Sequence, residues 1–113
     1  MSIDGFYAGY FTGLSGSGMA MFILSSGVIV GADNAGVKFD GKYSKVDTGG
    51  FAGSVTVSAP PNVNLIQGVT SGAAGLTYAV PFEFSPDFVE EPFIKISTPM
   101  GPVNVKLVKL RGA

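Results

Sequence analysis

Six consecutive apolar residues, Met19–Leu24, place the strongest constraint on what this chain can become. A second apolar run, Val28–Ala32, follows across Ser25-Ser26-Gly27. Phe, Ile and Val suit a pleated strand, and glycine takes the positive φ of a tight reversal at no steric cost. The stretch Ser17–Asp33 therefore reads as a β-hairpin. A hairpin half in water alternates apolar and polar residues, yet this one has no polar face. Successive side chains leave opposite faces of a strand, so the run cannot all enter one core. Either Met19, Met21 and Ile23 or Ala20, Phe22 and Leu24 point outward, joined by Ile29 or by Val28 and Val30. Something must cover that outer set. A second copy of the chain is the expected cover, because cyclic dimers are the commonest oligomers. The dimer-interface candidates are Met19, Met21, Phe22, Ile23 and Ile29. The competing cover is intramolecular, from Pro60–Gly75 or from Phe88 and Val89.

The rest of the chain is strand-like too. Val37, Phe39, Gly41 and Tyr43 alternate with Lys38, Asp40 and Lys42. Phe51, Gly53, Val55 and Val57 alternate with Ala52, Ser54, Thr56 and Ser58, and Leu76–Phe84 repeats the pattern. Period two with one polar face marks strands with one face in water. Gly5–Gly13, Phe93–Ser97 and Val103–Leu110 complete about eight strands. Turns rich in Gly, Pro and Asn separate them, and no stretch sustains a helical period. Pro60-Pro61 interrupts the pattern, and Ser85–Pro92 reads as a loop or one helical turn. Gly41 and Gly53 fall at inward positions, where glycine permits tight coiling. The expected fold is all-β: one domain over residues 1–113, a small, mostly antiparallel eight-stranded barrel.

Composition bounds the chemistry. Charged residues make up 13% of the chain and the net charge is −1, so no broad field attracts nucleic acid. There is neither Cys nor His, which removes thiolate chemistry, the usual general base and the commonest metal ligand. Glu90 and Glu91 are neighbours that point apart on an extended segment, so they do not form a carboxylate pair. Gly13–Gly18 is glycine-rich but lacks the phosphate-loop lysine and a following helix. Lys95, Lys106, Lys109 and Arg111 are too sparse for a phosphate stripe. No catalytic residue, metal site or cofactor is expected, and the chain is not read as an enzyme. Neither a signal peptide nor an apolar run near the ~20 residues of a membrane helix is present, so a cytoplasmic, non-membrane protein is expected.

An eight-stranded barrel is just wide enough to fill itself or to hold one small molecule. The aromatic-rich interior makes Tyr10, Phe39, Tyr43, Val55, Tyr78 and Phe82 the candidates for lining a ligand cavity.

Several segments together carry a family likeness. They are Asp4-Gly5-Phe6-Tyr7, Gly18–Leu24, Gly27–Asp33, Phe39-Asp40-Gly41-Lys42-Tyr43 and Val103–Leu107. In this order and spacing the chain resembles the GrlR-type negative regulators of type III secretion. The resemblance implies a lipocalin-like barrel that dimerises and regulates by protein–protein contact with a transcriptional activator. It places the family's acidic partner-binding run on Ser44-Lys45-Val46-Asp47, making Lys45 and Asp47 the partner-surface candidates. The alternative function is a lipocalin-like binder of a small apolar ligand.

Overall fold

The computed structural model describes residues 3–113. Eight strands follow one another: β1 (Gly5–Gly13), β2 (Gly16–Ser25), β3 (Val28–Asp33), β4 (Lys38–Lys45), β5 (Phe51–Ala59), β6 (Leu76–Phe84), β7 (Ile94–Thr98) and β8 (Gly101–Gly112). Every ladder is antiparallel, and the spatial order is β6-β5-β4-β3-β2-β1-β8-β7. The sheet is thus a meander that curls until β8 lies against β1. It forms a nearly closed all-β barrel.

Side-chain parity follows the alternation in the sequence. Val37, Val57 and Val80 are buried, while Lys38, Lys42 and Thr56 are exposed. A slip of one residue would put the lysines inside, so the register is strongly fixed. Phe39 faces Val57, Gly41 faces Val55 and Tyr43 faces Gly53 across the β4–β5 ladder. A side chain at Gly41 or Gly53 would collide with the backbone of the facing strand. These two strands approach and coil as tightly as only glycine permits.

The β2–β3 hairpin turns at Ser26 and Gly27, with φ of 51° and 85°. Two successive positive φ values give the turn whose twist matches that of the strands it joins. Ala20, Phe22, Leu24 and Ile29 are buried in the barrel, and Met19, Met21, Ile23, Val28 and Val30 are exposed on its outer surface. Phe22 and Ile29 therefore cannot serve a dimer interface, because the pleat carries them into the core. Glycines make room for the Phe22 ring on both neighbouring strands. A Cβ at Gly9 would lie 2.7 Å from Phe22 Cε2, and one at Gly31 would lie 2.6 Å from Cδ1 and 2.7 Å from the Met21 carbonyl. The carbonyl cannot yield, so Gly31→Ala should cost ~1–3 kcal/mol by overpacking, read from the shift in urea midpoint. An unchanged midpoint would mean the ring does not rest on this glycine.

No ladder joins β6 to β7 among the described residues, so one seam runs the length of the barrel. Pro81 lies inside β6, where its missing N–H is tolerated only at a sheet edge. The two ends of the barrel are closed differently. At one end the 3₁₀ turn Phe88–Glu90 inserts Phe88, which is 2% exposed, among the rings of Tyr7, Phe51 and Phe84. Lys106 ties this turn down, its Nζ donating to the carbonyls of Val89 at 2.6 Å and Glu91 at 2.7 Å. At the other end residues 60–75 fold across the opening. Neither segment covers the outer face of the β2–β3 hairpin, whose apolar side chains remain exposed.

Tyr7 is fully enclosed and donates its hydroxyl to the Ile3 carbonyl at 2.6 Å. Burial, then the nearby Tyr43 and Asp4 charges, push its pKa from 10.0 up to about 12. The neutral phenol is favoured in the folded state, so its contribution is whole below pH 10 and lost as the pH rises through about 12. The urea midpoint should therefore fall between pH 9.5 and 11.5. A flat midpoint across that window would show that Tyr7 titrates normally.

Candidate functional site

The inward side chains do not fill the barrel. They surround a cavity of about 210 Å³. Its walls come from alternate residues of the strands, among them Phe22, Phe39, Val55, Phe82 and Leu107. Phe11, Phe22 and Phe39 form one aromatic group, with Phe22 edge-on to Phe39 at 5.0 Å between centroids. Tyr7, Tyr43, Phe51 and Phe84 line the end nearest the 3₁₀ turn. There the Tyr43 hydroxyl donates to Asp4 Oδ1 at 2.7 Å. Burial and this hydrogen bond raise the pKa of Tyr43 above its ordinary value.

The roof is the segment between β5 and β6. It leaves β5 through Pro60-Pro61 and turns back on itself, with Asn64 and Thr70 bridged. The buried Ser71 hydroxyl holds this fold by accepting from Val63 N at 2.8 Å and donating to the Pro60 carbonyl at 2.5 Å. Its tip reaches the β1–β2 turn, where Ser15 N donates to the Ile66 carbonyl at 2.8 Å. Val63, Leu65 and Ile66 face the cavity from this roof, together with Gln67.

Gln67 is the polar centre of the roof and is 9% exposed. Its Nε2 donates to Tyr78 Oη and to Thr98 Oγ1, both at 3.3 Å. Tyr78 stands on β6 and Thr98 on β7, so one amide spans the seam that lacks a backbone ladder. Burial raises the pKa of Tyr78, and the Gln67 hydrogen bond partly offsets that. The lining also includes Gly18, Met19, Ala35 and Asn64, all exposed, so the cavity reaches solvent beside the roof at the upper ends of β2 and β3.

Five of the six residues expected to line a cavity do so: Phe39, Tyr43, Val55, Tyr78 and Phe82. Tyr10 does not. It is 48% exposed on the outer face of β1, opposite Met19, because the parity of β1 is set by the inward Tyr7 and Phe11. The roof residues Leu65, Ile66 and Gln67 had no signal in the sequence beyond a short apolar cluster after two prolines. Lys45 and Asp47 are both exposed, Lys45 at the end of β4 and Asp47 in the tight turn closed by Val46 N and the Gly50 carbonyl at 2.9 Å. They sit at the opposite end of the barrel from the roof.

Among the described residues no group of three or more Cys, His, Asp or Glu side chains gathers in a metal-binding arrangement. None of the described helices is long and apolar enough to cross a membrane. Among the described residues Asp33 is the one carboxylate lining the cavity, and it is engaged by its own turn, its Oδ1 accepting from Ala35 N at 2.8 Å and Val37 N at 3.0 Å. What the arrangement offers chemically is an apolar enclosure with a small hydrogen-bonding roof. No family model, curated protein or solved structure matches the chain.

Proposed function

We propose that this protein is a non-enzymatic binding protein that encloses one small apolar ligand inside the barrel. The observation that supports the reading best is the 210 Å³ cavity with an apolar lining and an opening beside the roof. A dry cavity of about 150 Å³ is enough to hold benzene, so this one suits a molecule of one or two rings. The chain has no Trp, so a naphthalene fluorophore excited beyond the tyrosine band reports without background. The neutral probe 2-methoxynaphthalene should bind saturably at one site per chain. Val55→Phe, which pushes a larger ring into the cavity, should weaken it tenfold or more while the far-ultraviolet circular dichroism is kept. Unsaturable binding, or equal binding by the filled variant, would count against the reading.

The outer face of the sheet favours a second use. Phe6, Tyr10, Met19, Met21, Ile23, Val28, Val30, Val108 and Leu110 are each 37–52% exposed on the adjacent strands β8, β1, β2 and β3. The ladders set them side by side, with Phe6 opposite Ile23, Tyr10 opposite Met19 and Ile23 opposite Val30. At about 150–250 Å² per large side chain, such exposures sum to roughly 700 Å². That exceeds a typical monomer's largest patch and approaches the ~800 Å² per partner of a standard interface. A homodimer formed through this face is the reading these side chains support. The regulatory role implied by the likeness to the GrlR-type proteins would also act through the outer surface, with Lys45 and Asp47 as its candidate contacts.

A further inference from the structure

The chemistry of the lining narrows the ligand class, on the reading that the cavity is a binding site. Among the described lining residues there is no Lys or Arg, and the Asp33 carboxylate is committed to its own turn. A bound anion would therefore lose its water, gain no counter-charge and sit in the field of that carboxylate. Burying an unpaired carboxylate is among the costliest steps a binding site can face. The roof nevertheless is not inert. Both Gln67 hydrogen bonds are made through its amide nitrogen, to Tyr78 and Thr98. Thr98 Oγ1 in turn donates to the Gly101 carbonyl at 2.6 Å. Among the described residues this leaves the Gln67 carbonyl oxygen as an unused acceptor and the Tyr78 hydroxyl hydrogen as an unused donor, on two residues that both line the cavity and are joined through the Gln67 amide nitrogen. That pair matches a group that both gives and takes a hydrogen bond. A ligand that covers this polar pair without matching it also pays for stripping it of water.

From this we propose that the cavity selects a neutral ligand with one hydrogen-bonding head, seated under Gln67 and Tyr78, over an anion of the same size. The head is an alcohol, phenol or amide rather than a carboxylate, and the body is a single ring or short chain.

Three probes of one shape test this by displacement of 2-methoxynaphthalene at pH 7: 4-propylphenol, 4-propylbenzoate and propylbenzene. The phenol should bind at least tenfold more tightly than the benzoate and severalfold more tightly than the hydrocarbon. Lowering the pH through the benzoate's own carboxyl range should restore its affinity, since the neutral acid carries a matching head. Gln67→Leu should reduce the phenol to the affinity of propylbenzene, leaving propylbenzene itself unchanged. Tyr78→Phe makes the same test with the Gln67 side chain kept, should the leucine variant not fold. Benzoate binding as tight as phenol at pH 7, or phenol binding indifferent to both variants, would overturn the class while leaving the cavity a binding site. Displacement by none of the three would overturn the binding site itself.

Discussion

Phe88→Ala should lower the stability of the barrel by ~3–5 kcal/mol, the range for deleting a buried aromatic ring. The side chain is 2% exposed, and its ring lies 6.2 Å from that of Tyr7, 6.0 Å from Phe51 and 5.4 Å from Phe84. Each of those rings stands on a different strand, β1, β5 and β6, so Phe88 closes one end of the barrel from a segment that belongs to no strand. Its loss leaves a void where strands from both sides of the seam converge. For a domain of this size the melting temperature should fall by roughly 10–20 °C. Phe88→Leu should recover much of the loss, because most of the volume returns. An alanine variant that melts within a few degrees of the parent would show that the turn is not part of the cooperative core.

Adjacent residues of one strand should respond in opposite ways to the same charge. Phe22 is 8% exposed and packs against Phe11 and Phe39, so Phe22→Lys forces an ammonium group into an apolar interior and should abolish folding. Met21→Lys places the same group on the outer face, where Met21 is 45% exposed, and should leave the barrel intact. If the homodimer proposed above forms through this face, Met21→Lys should halve the mass seen by light scattering at micromolar concentration, with the melting curve of the isolated barrel retained. A parent protein that scatters as a monomer, or a Met21→Lys variant that stays dimeric, would remove the dimer from this face. The contrast between the two variants also tests the parity of β2 directly.

The barrel was readable because its strands declare themselves. Lys38, Asp40 and Lys42 between Val37, Phe39 and Tyr43 leave only one register, and the structure adopts it. The hairpin was readable only to its existence. With apolar residues on both faces, Met19–Leu24 carries no local mark of which set faces inward, and Phe22 and Ile29 could be placed only once their neighbours were known. The deciding signal was non-local: Gly9 and Gly31 make space for an aromatic ring on the strand between them. Tyr10 failed for a related reason, since Gly5–Gly13 mixes aromatics and glycines without a polar parity. The seam had a signal that went unused, Pro81 within an otherwise regular strand. The roof had only the apolar cluster Val63, Leu65 and Ile66, which suits docking on the core but not a particular fold, because that fold rests on long-range hydrogen bonds from Ser71, Ser15 and Gln67.

The pairing of β1 with β8 sets Gly5 against Gly112. During synthesis, the meander from β1 to β5 can assemble hairpin by hairpin as it leaves the ribosome, each step closing a short loop, and β6 joins it after the roof segment. The far edge of β1 has no partner adjacent in sequence. Its hydrogen-bonding groups stay unmatched until residues 101–112 exist, and joining them closes nearly the whole chain into one loop. Closure of long loops costs entropy that no local contact returns, and folding slows accordingly. For that interval the strand bearing Phe6 and Tyr10 presents an open edge beside an apolar surface, the combination that invites pairing with a wrong strand. The barrel is therefore most exposed to misassembly not when it unfolds but when it is almost complete.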